Sequence, residues 1–151
     1  MTPYKRFYII KTYNIMEKPK FEFLEHTADI KFRAYALTLD KLFENCALAV
    51  TAYLLHGKKP KPKTGKVINV RGNDIQSLLY NFIEEILFLL ETENFIISKL
   101  EVQMMGNNLR AELFGDKAKD YEMKEIKAPT YAEMLIKKVN SGWMAQMVLD
   151  V

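Results

Sequence analysis

The chain is poor in the residues that most often carry recognisable chemistry. Its one cysteine, Cys46, excludes an intramolecular disulfide and points to a reducing, cytoplasmic setting. One cysteine and two histidines, His26 and His56, cannot assemble a four-ligand zinc site of the usual Cys/His kind. The six glycines never fall into a G-x-G-x-x-G fingerprint. Gly57 and Gly65-Lys66 stand too far apart for a phosphate-binding loop, and Val67 occupies the Ser/Thr place. No run approaches the roughly 18 apolar residues that a bilayer-spanning helix needs, so no membrane partner is expected. The apolar patch at residues 7–10 is too short for a signal core, and no small-residue cleavage site follows it. A net charge of +3 falls short of a dedicated DNA or RNA binder.

What remains is an ordinary globular composition, 49% hydrophobic and 27% charged, over 151 residues, a length that suits one domain. Residues 1–20 read as an N-terminal arm or an over-long start, unlike the patterned sequence of residues 21–151. Ile30, Phe32 and Ala34 alternate with Lys31, Arg33 and Tyr35, a two-residue period that predicts a half-buried strand. Thr38 is placed to cap a helix carrying Leu39, Leu42, Phe43, Cys46, Ala47 and Val50 at helical spacing, ending near Leu54 or Leu55. A proline- and lysine-rich loop follows, then the short strand "KVINV". Asn73, with Gln76 three residues on, is the expected cap of a second helix, whose stripe runs from Ile75 through Leu78, Phe82 and Ile86 to Leu90. Two strands flank the "GNN" turn at 106–108. "MKEIKA", "YAEMLIKKV" and "WMAQMVLDV" read as three more, with Pro129 breaking the first pair and the Asn140–Gly142 turn separating the second. Short turns join antiparallel strands, so the expected class is α+β: one or two antiparallel sheets with two helices packed against them, in a single domain.

With thiols, zinc sets and nucleotide loops set aside, the remaining chemistry lies in carboxylates. "FLEHTADIKF" gathers His26, Thr27 and Asp29 just ahead of the first alternating strand. Asp150 is the penultimate residue, at the end of an apolar strand, and Val151 is expected to carry the α-carboxylate. If that strand is docked, two anionic groups stand one residue apart, an arrangement that needs a cation or hydrogen-bond donors. Oxygen ligands suit hard ions such as calcium, magnesium or manganese. The plainer readings are a turn-capping Asp29, a frayed Asp150 and a structural His26. Lys58, Lys59, Lys61 and Lys63 form a basic loop that can meet phosphates or an acidic partner, or can simply be solvated. Cys46, on the apolar stripe of the first helix, reads as core.

Four segments, "FEFLEHTADIKFRAYALTLDKLFENCALAV", "DIQSLLYNFIEEILFLLETENF", "IKAPTYAEM" and "GWMAQMVLDV", together resemble the archease family. That resemblance implies an accessory protein without a reaction of its own, which activates the RtcB-type GTP-dependent RNA ligase of tRNA splicing. Activation means promoting guanylylation of the ligase and allowing multiple turnovers; tRNA is met only indirectly, in the cytoplasm. It also implies a divalent metal site, assigned as calcium in the family, with ligands matching Asp29, Asp150 and Val151. Two positions depart from the family pattern. Lys31 stands where a glycine is usual, and strand alternation turns Ile30 and Lys31 to opposite faces, which would point this cation away. Ala132 stands where the family has a histidine. The alternatives from another class are a stand-alone metal-dependent phosphoesterase using His26, and an RNA chaperone working through the lysine loop.

Overall fold

The computed structural model describes residues 14–151; the expectation for residues 1–13 of the arm lies outside the described part. Nine elements carry the fold: β1 (Phe21–Leu24), β2 (Ile30–Ala36), α1 (Leu39–Leu54), β3 (Thr64–Arg71), α2 (Ile75–Glu93), β4 (Phe95–Met105), β5 (Asn108–Lys117), β6 (Ala128–Val139) and β7 (Gly142–Asp150). They form a four-stranded sheet, β1-β2-β7-β6, and a three-stranded sheet, β3-β5-β4. Every neighbouring pair is antiparallel, so the architecture is the expected α+β.

Both helices are held between apolar sheet faces. Phe32, Ala34, Ala145, Met147 and Leu149 of the first sheet join Ile97, Leu100, Val102, Ala111 and Leu113 of the second in one buried cluster. Helix α1 contributes Leu42, Phe43, Cys46, Ala47 and Val50 to it, and α2 contributes Leu78, Leu79, Phe82 and Ile83. Because α1 is covered on more than one side, Glu44, Asn45 and Thr51 are buried as well, and each is satisfied. Asn45 donates to the Tyr35 carbonyl at 2.8 Å, Thr51 donates to the Ile97 carbonyl at 2.9 Å, and Glu44 accepts from the Val102 N–H at 3.0 Å. The last two contacts cover polar groups along the open edge of β4, the exposure that sheet edges must otherwise manage.

Thr38 caps α1 by accepting from the Lys41 N–H, as its position predicts. The cap of α2 differs from expectation. It is Asp74, whose carboxylate accepts from the Ser77 N–H at 2.7 Å while Ser77 Oγ accepts from the Asp74 N–H. Gln76 is one residue short of the position that closes such a box, and Ser77 fills it. The C-terminal third also departs from expectation. "MKEIKA" is not a strand: residues 121–127 run irregularly, with Ile126 buried, and β6 begins at Ala128. Pro129 therefore lies inside β6 and does not break a strand pair. β6 is an edge strand, where a missing N–H is tolerated.

The outer face of the four-stranded sheet is partly covered by residues ahead of β1. Ile15 is buried against Tyr35, Val139 and Met144 in a second small cluster. That face also carries the polar residues of the candidate site.

Candidate metal site at the end of strands β2 and β7

β1 and β2 form a hairpin whose connection, residues 25–29, carries the His26-Thr27-Ala28-Asp29 run. Ala28 at its tip has φ +71°, a left-handed conformation that an alanine adopts only at a cost of about 1 kcal/mol. β2 then pairs with β7 from Ile30↔Leu149 to Ala36↔Trp143. Antiparallel pairing sets the start of β2 beside the end of β7. Asp29 is thus one step before, and Asp150 one step after, the terminal Ile30↔Leu149 pair.

Alternation decides which side each residue faces. Phe32, Ala34, Met147 and Leu149 point into the core and are fully buried. Lys31, Arg33, Gln146 and Asp150 therefore lie on the outer face, while Asp29 sits in the bend just before β2, beside the left-handed Ala28. The tail is docked. The Asp150 carbonyl accepts from the Lys127 N–H at 2.8 Å, and Val151 packs against the core while Asp150 stays exposed.

Lys31 lies on the outer face of β2, opposite to Ile30 and Phe32. Its ammonium is occupied, 3.0 Å from Glu133 Oε1. The other oxygen of Glu133 lies 2.8 Å from His26 Nε2. Glu133 reaches both because β6 departs from regular pairing between Thr130↔Val148 and Leu135↔Gln146, so that Tyr131–Met134 stand opposite Met147 alone. Glu133 itself has φ +54°. Its backbone carbonyl accepts from Gln146 Nε2 at 2.7 Å, and Gln146 Oε1 accepts from Arg33 Nε at 2.9 Å. The His26 hydrogen bond and then Lys31 hold the Glu133 carboxyl below its ordinary value. His26 Nδ1 is buried without a hydrogen-bond partner. Glu133 has no counterpart in the sequence reading: it lies 107 residues from His26, in a strand whose irregularity leaves no local signal.

Among the described residues, no three His, Cys, Asp or Glu side chains come together as a metal-holding group. The ligands that the family resemblance implies, Asp29, Asp150 and an oxygen of Val151, include only two such side chains. That set is composed of oxygen alone, which fits a hard divalent cation. His26 lines the same shallow depression as Glu25, Thr27 and Asp29, but its Nε2 is committed to Glu133.

The basic loop is divided. Lys63 Nζ lies 3.8 Å from Asp116 Oδ2, and the Lys61 N–H donates to the Tyr121 hydroxyl, which in turn donates to Asp116 at 2.7 Å. The Tyr121 hydroxyl and then the Lys117 N–H, with the nearby Lys63 and Lys61, hold the Asp116 carboxyl below its ordinary value. Lys58 and Lys59 instead border a groove on another side of the molecule. Cys46 is wholly buried, and burial pushes its thiol far above the usual range, so it is core and not a nucleophile.

The Archease protein family matches residues 21–151. The chain belongs to the archease family. A protein archease from Pyrococcus abyssi is 37% identical over 140 residues, covering 87% of this chain and 99% of that protein. A protein archease from Pyrobaculum islandicum is 36% identical over 138 residues, covering 84% and 92%. The solution structure of Methanobacterium thermoautotrophicum protein 1598 is similar, with a TM-score of 0.77 and 30% identity over 87% of this chain and 99% of that one. Two antiparallel sheets with two helices are thus the architecture of an archease.

Proposed function

We propose that this archease is a non-catalytic activator of an RtcB-type GTP-dependent RNA ligase in tRNA splicing. In this reading it works in the cytoplasm, promotes guanylylation and multiple turnover of the ligase, and meets tRNA only through it. What supports the reading is the antiparallel register, in which Asp29 and Asp150 both lie at the same end of the β2–β7 ladder, just beyond the Ile30↔Leu149 pair, with Val151 packed against the core next to Asp150. Asp29, Asp150 and an oxygen of Val151 would hold calcium, magnesium or manganese. A bound divalent cation would neutralise the crowded carboxylates and attract phosphate oxygens. The chain's own part is positional. The hairpin connection carries the half-buried Asp29, the β7 end carries the exposed Asp150, and the Lys127 N–H holds the Asp150 carbonyl.

Ligase guanylylation with limiting GTP and metal tests this. Folded Asp29→Ala and Asp150→Ala variants are expected to lose stimulation, whereas unchanged stimulation by both would refute the metal site's role.

One observation favours a second reading. The His26–Glu133 pair beside Asp29 has the form of an oriented acid or base, which suits a stand-alone metal-dependent phosphoesterase. Turnover of phosphoesters by the purified chain without ligase separates the two, and none is expected. An RNA chaperone acting through the lysine loop would bind RNA with steep salt dependence in the absence of ligase. The ion pair of Lys63 with Asp116 weighs against it.

A further inference from the structure

A groove of about 830 Å³ opens at the other end of β2 from Asp29. Ala36 and Leu37 border it, and Asp29 to Ala36 spans roughly 23 Å of strand at about 3.3 Å per residue. It is therefore separate from the candidate metal site, and it goes beyond the function proposed above. Its walls are the start of β1, one side of α1, the turn after α1 and residues 98–100 of β4. The floor is apolar: Phe21, Leu48 and Pro60 line it, with Leu37 50% exposed at the rim.

Lys20, Lys58 and Lys59 stand at the rim, all exposed and with no acidic side chain in ion-pair range among the described residues. The groove's one acidic residue, Glu44, is already spent. One oxygen accepts from the Val102 N–H at 3.0 Å and the other lies 3.1 Å from Lys41 Nζ. The field in the groove is therefore positive over an apolar base.

We propose that this groove binds an acidic, apolar peptide segment of a partner protein, lying extended between β1 and the edge of β4. Acidic side chains answer the three rim lysines, and alternate apolar side chains answer the floor, the two-sided pattern that an extended peptide presents. RNA fits less well. Phe21 is the one aromatic lining residue, and its ring is already engaged edge-on with Phe23 at 5.9 Å, so bases find no stacking platform. The chain's own first 13 residues are unsuited by charge, because they carry Lys5, Arg6 and Lys11 and no acidic residue.

Amide-resolved NMR titration of the full chain tests the proposal, with a chelator present so that metal plays no part. The probes are a ten-residue peptide of alternating glutamate and leucine and a ten-nucleotide oligouridylate. The peptide is expected to shift the amides of Lys20, Leu37, Leu48 and Lys59 saturably. A Lys20→Glu/Lys58→Glu/Lys59→Glu variant with an otherwise unchanged spectrum is expected to bind at least about tenfold more weakly, the effect of roughly 1.4 kcal/mol. Absence of those shifts, retention of affinity by the variant, or tighter binding of oligouridylate at the same amides would each overturn it. Because the titration contains neither ligase nor metal, its failure leaves the proposed function standing, and the reverse also holds.

Discussion

The ammonium of Lys31 lies 3.0 Å from the carboxylate of Glu133, on the sheet face that carries Asp150. A cation two residues from Asp29 would compete with a metal ion for the aspartates. Glu133, held in a left-handed conformation in the irregular part of β6, draws that charge away and binds His26 with its other oxygen. The two positions that depart from the family pattern, Lys31 and Ala132, thus sit around one residue, Glu133.

Removing that restraint should be visible in metal affinity. Glu133→Gln is expected to weaken divalent-ion binding at the Asp29–Asp150 rim about two- to fivefold, the scale of one partly exposed charge interaction. Adding Lys31→Met should restore it. Isothermal titration with manganese checks both. Equal affinity in Glu133→Gln and the parent chain would show that Lys31 does not reach the site.

The same contacts set a pH dependence. The Glu133 carboxyl is held below its ordinary value of 4.5, first by the His26 hydrogen bond and then by Lys31. Its folded-state pKa is depressed, so its contribution to stability is complete above the unfolded value and is lost as pH falls through the folded value. The melting temperature of Glu133→Gln should therefore fall below the parent's at neutral pH. The gap should close once pH drops below the usual carboxylate range. A gap that persists or widens in acid contradicts this account.

Helix caps and one close backbone approach give stability tests independent of function. Thr38→Ala should cost about 1 kcal/mol by denaturant unfolding. Asp74→Ala should lower stability while Asn73→Ala does not, because the Asp74 carboxylate, and not the Asn73 side chain, accepts the Ser77 N–H. Gly115 leaves no room for a Cβ, which would collide with the Ile96 carbonyl and crowd the Phe95 ring. Gly115→Ala should cost about 3 kcal/mol, near the upper end of overpacking effects.

The sequence carried much of this fold because its signals are local. Alternation at Ile30–Tyr35, the stripe of α2 and the Thr38 cap each depend on near neighbours, and each appears where its pattern places it. The errors arose where tertiary context decides. Pro129 looks like a strand breaker until β6 proves to be an edge, and Asn73 looks like a cap until Ser77 closes the box on Asp74. Of the candidate site, the sequence marks Asp29 and Asp150 as carboxylates, while the idea that they act together rests on the family resemblance. The Glu133 contacts were illegible because they depend on three extra residues in β6 opposite β7 and on a left-handed backbone that no glycine announces.

The most direct test of the central claim is paramagnetic broadening of backbone amides by substoichiometric manganese. The account predicts one bound ion per chain, with early loss of the Thr27–Lys31 and Leu149–Val151 signals and no such loss in Asp29→Ala or Asp150→Ala. Broadening centred elsewhere, or unchanged in both variants, would contradict it.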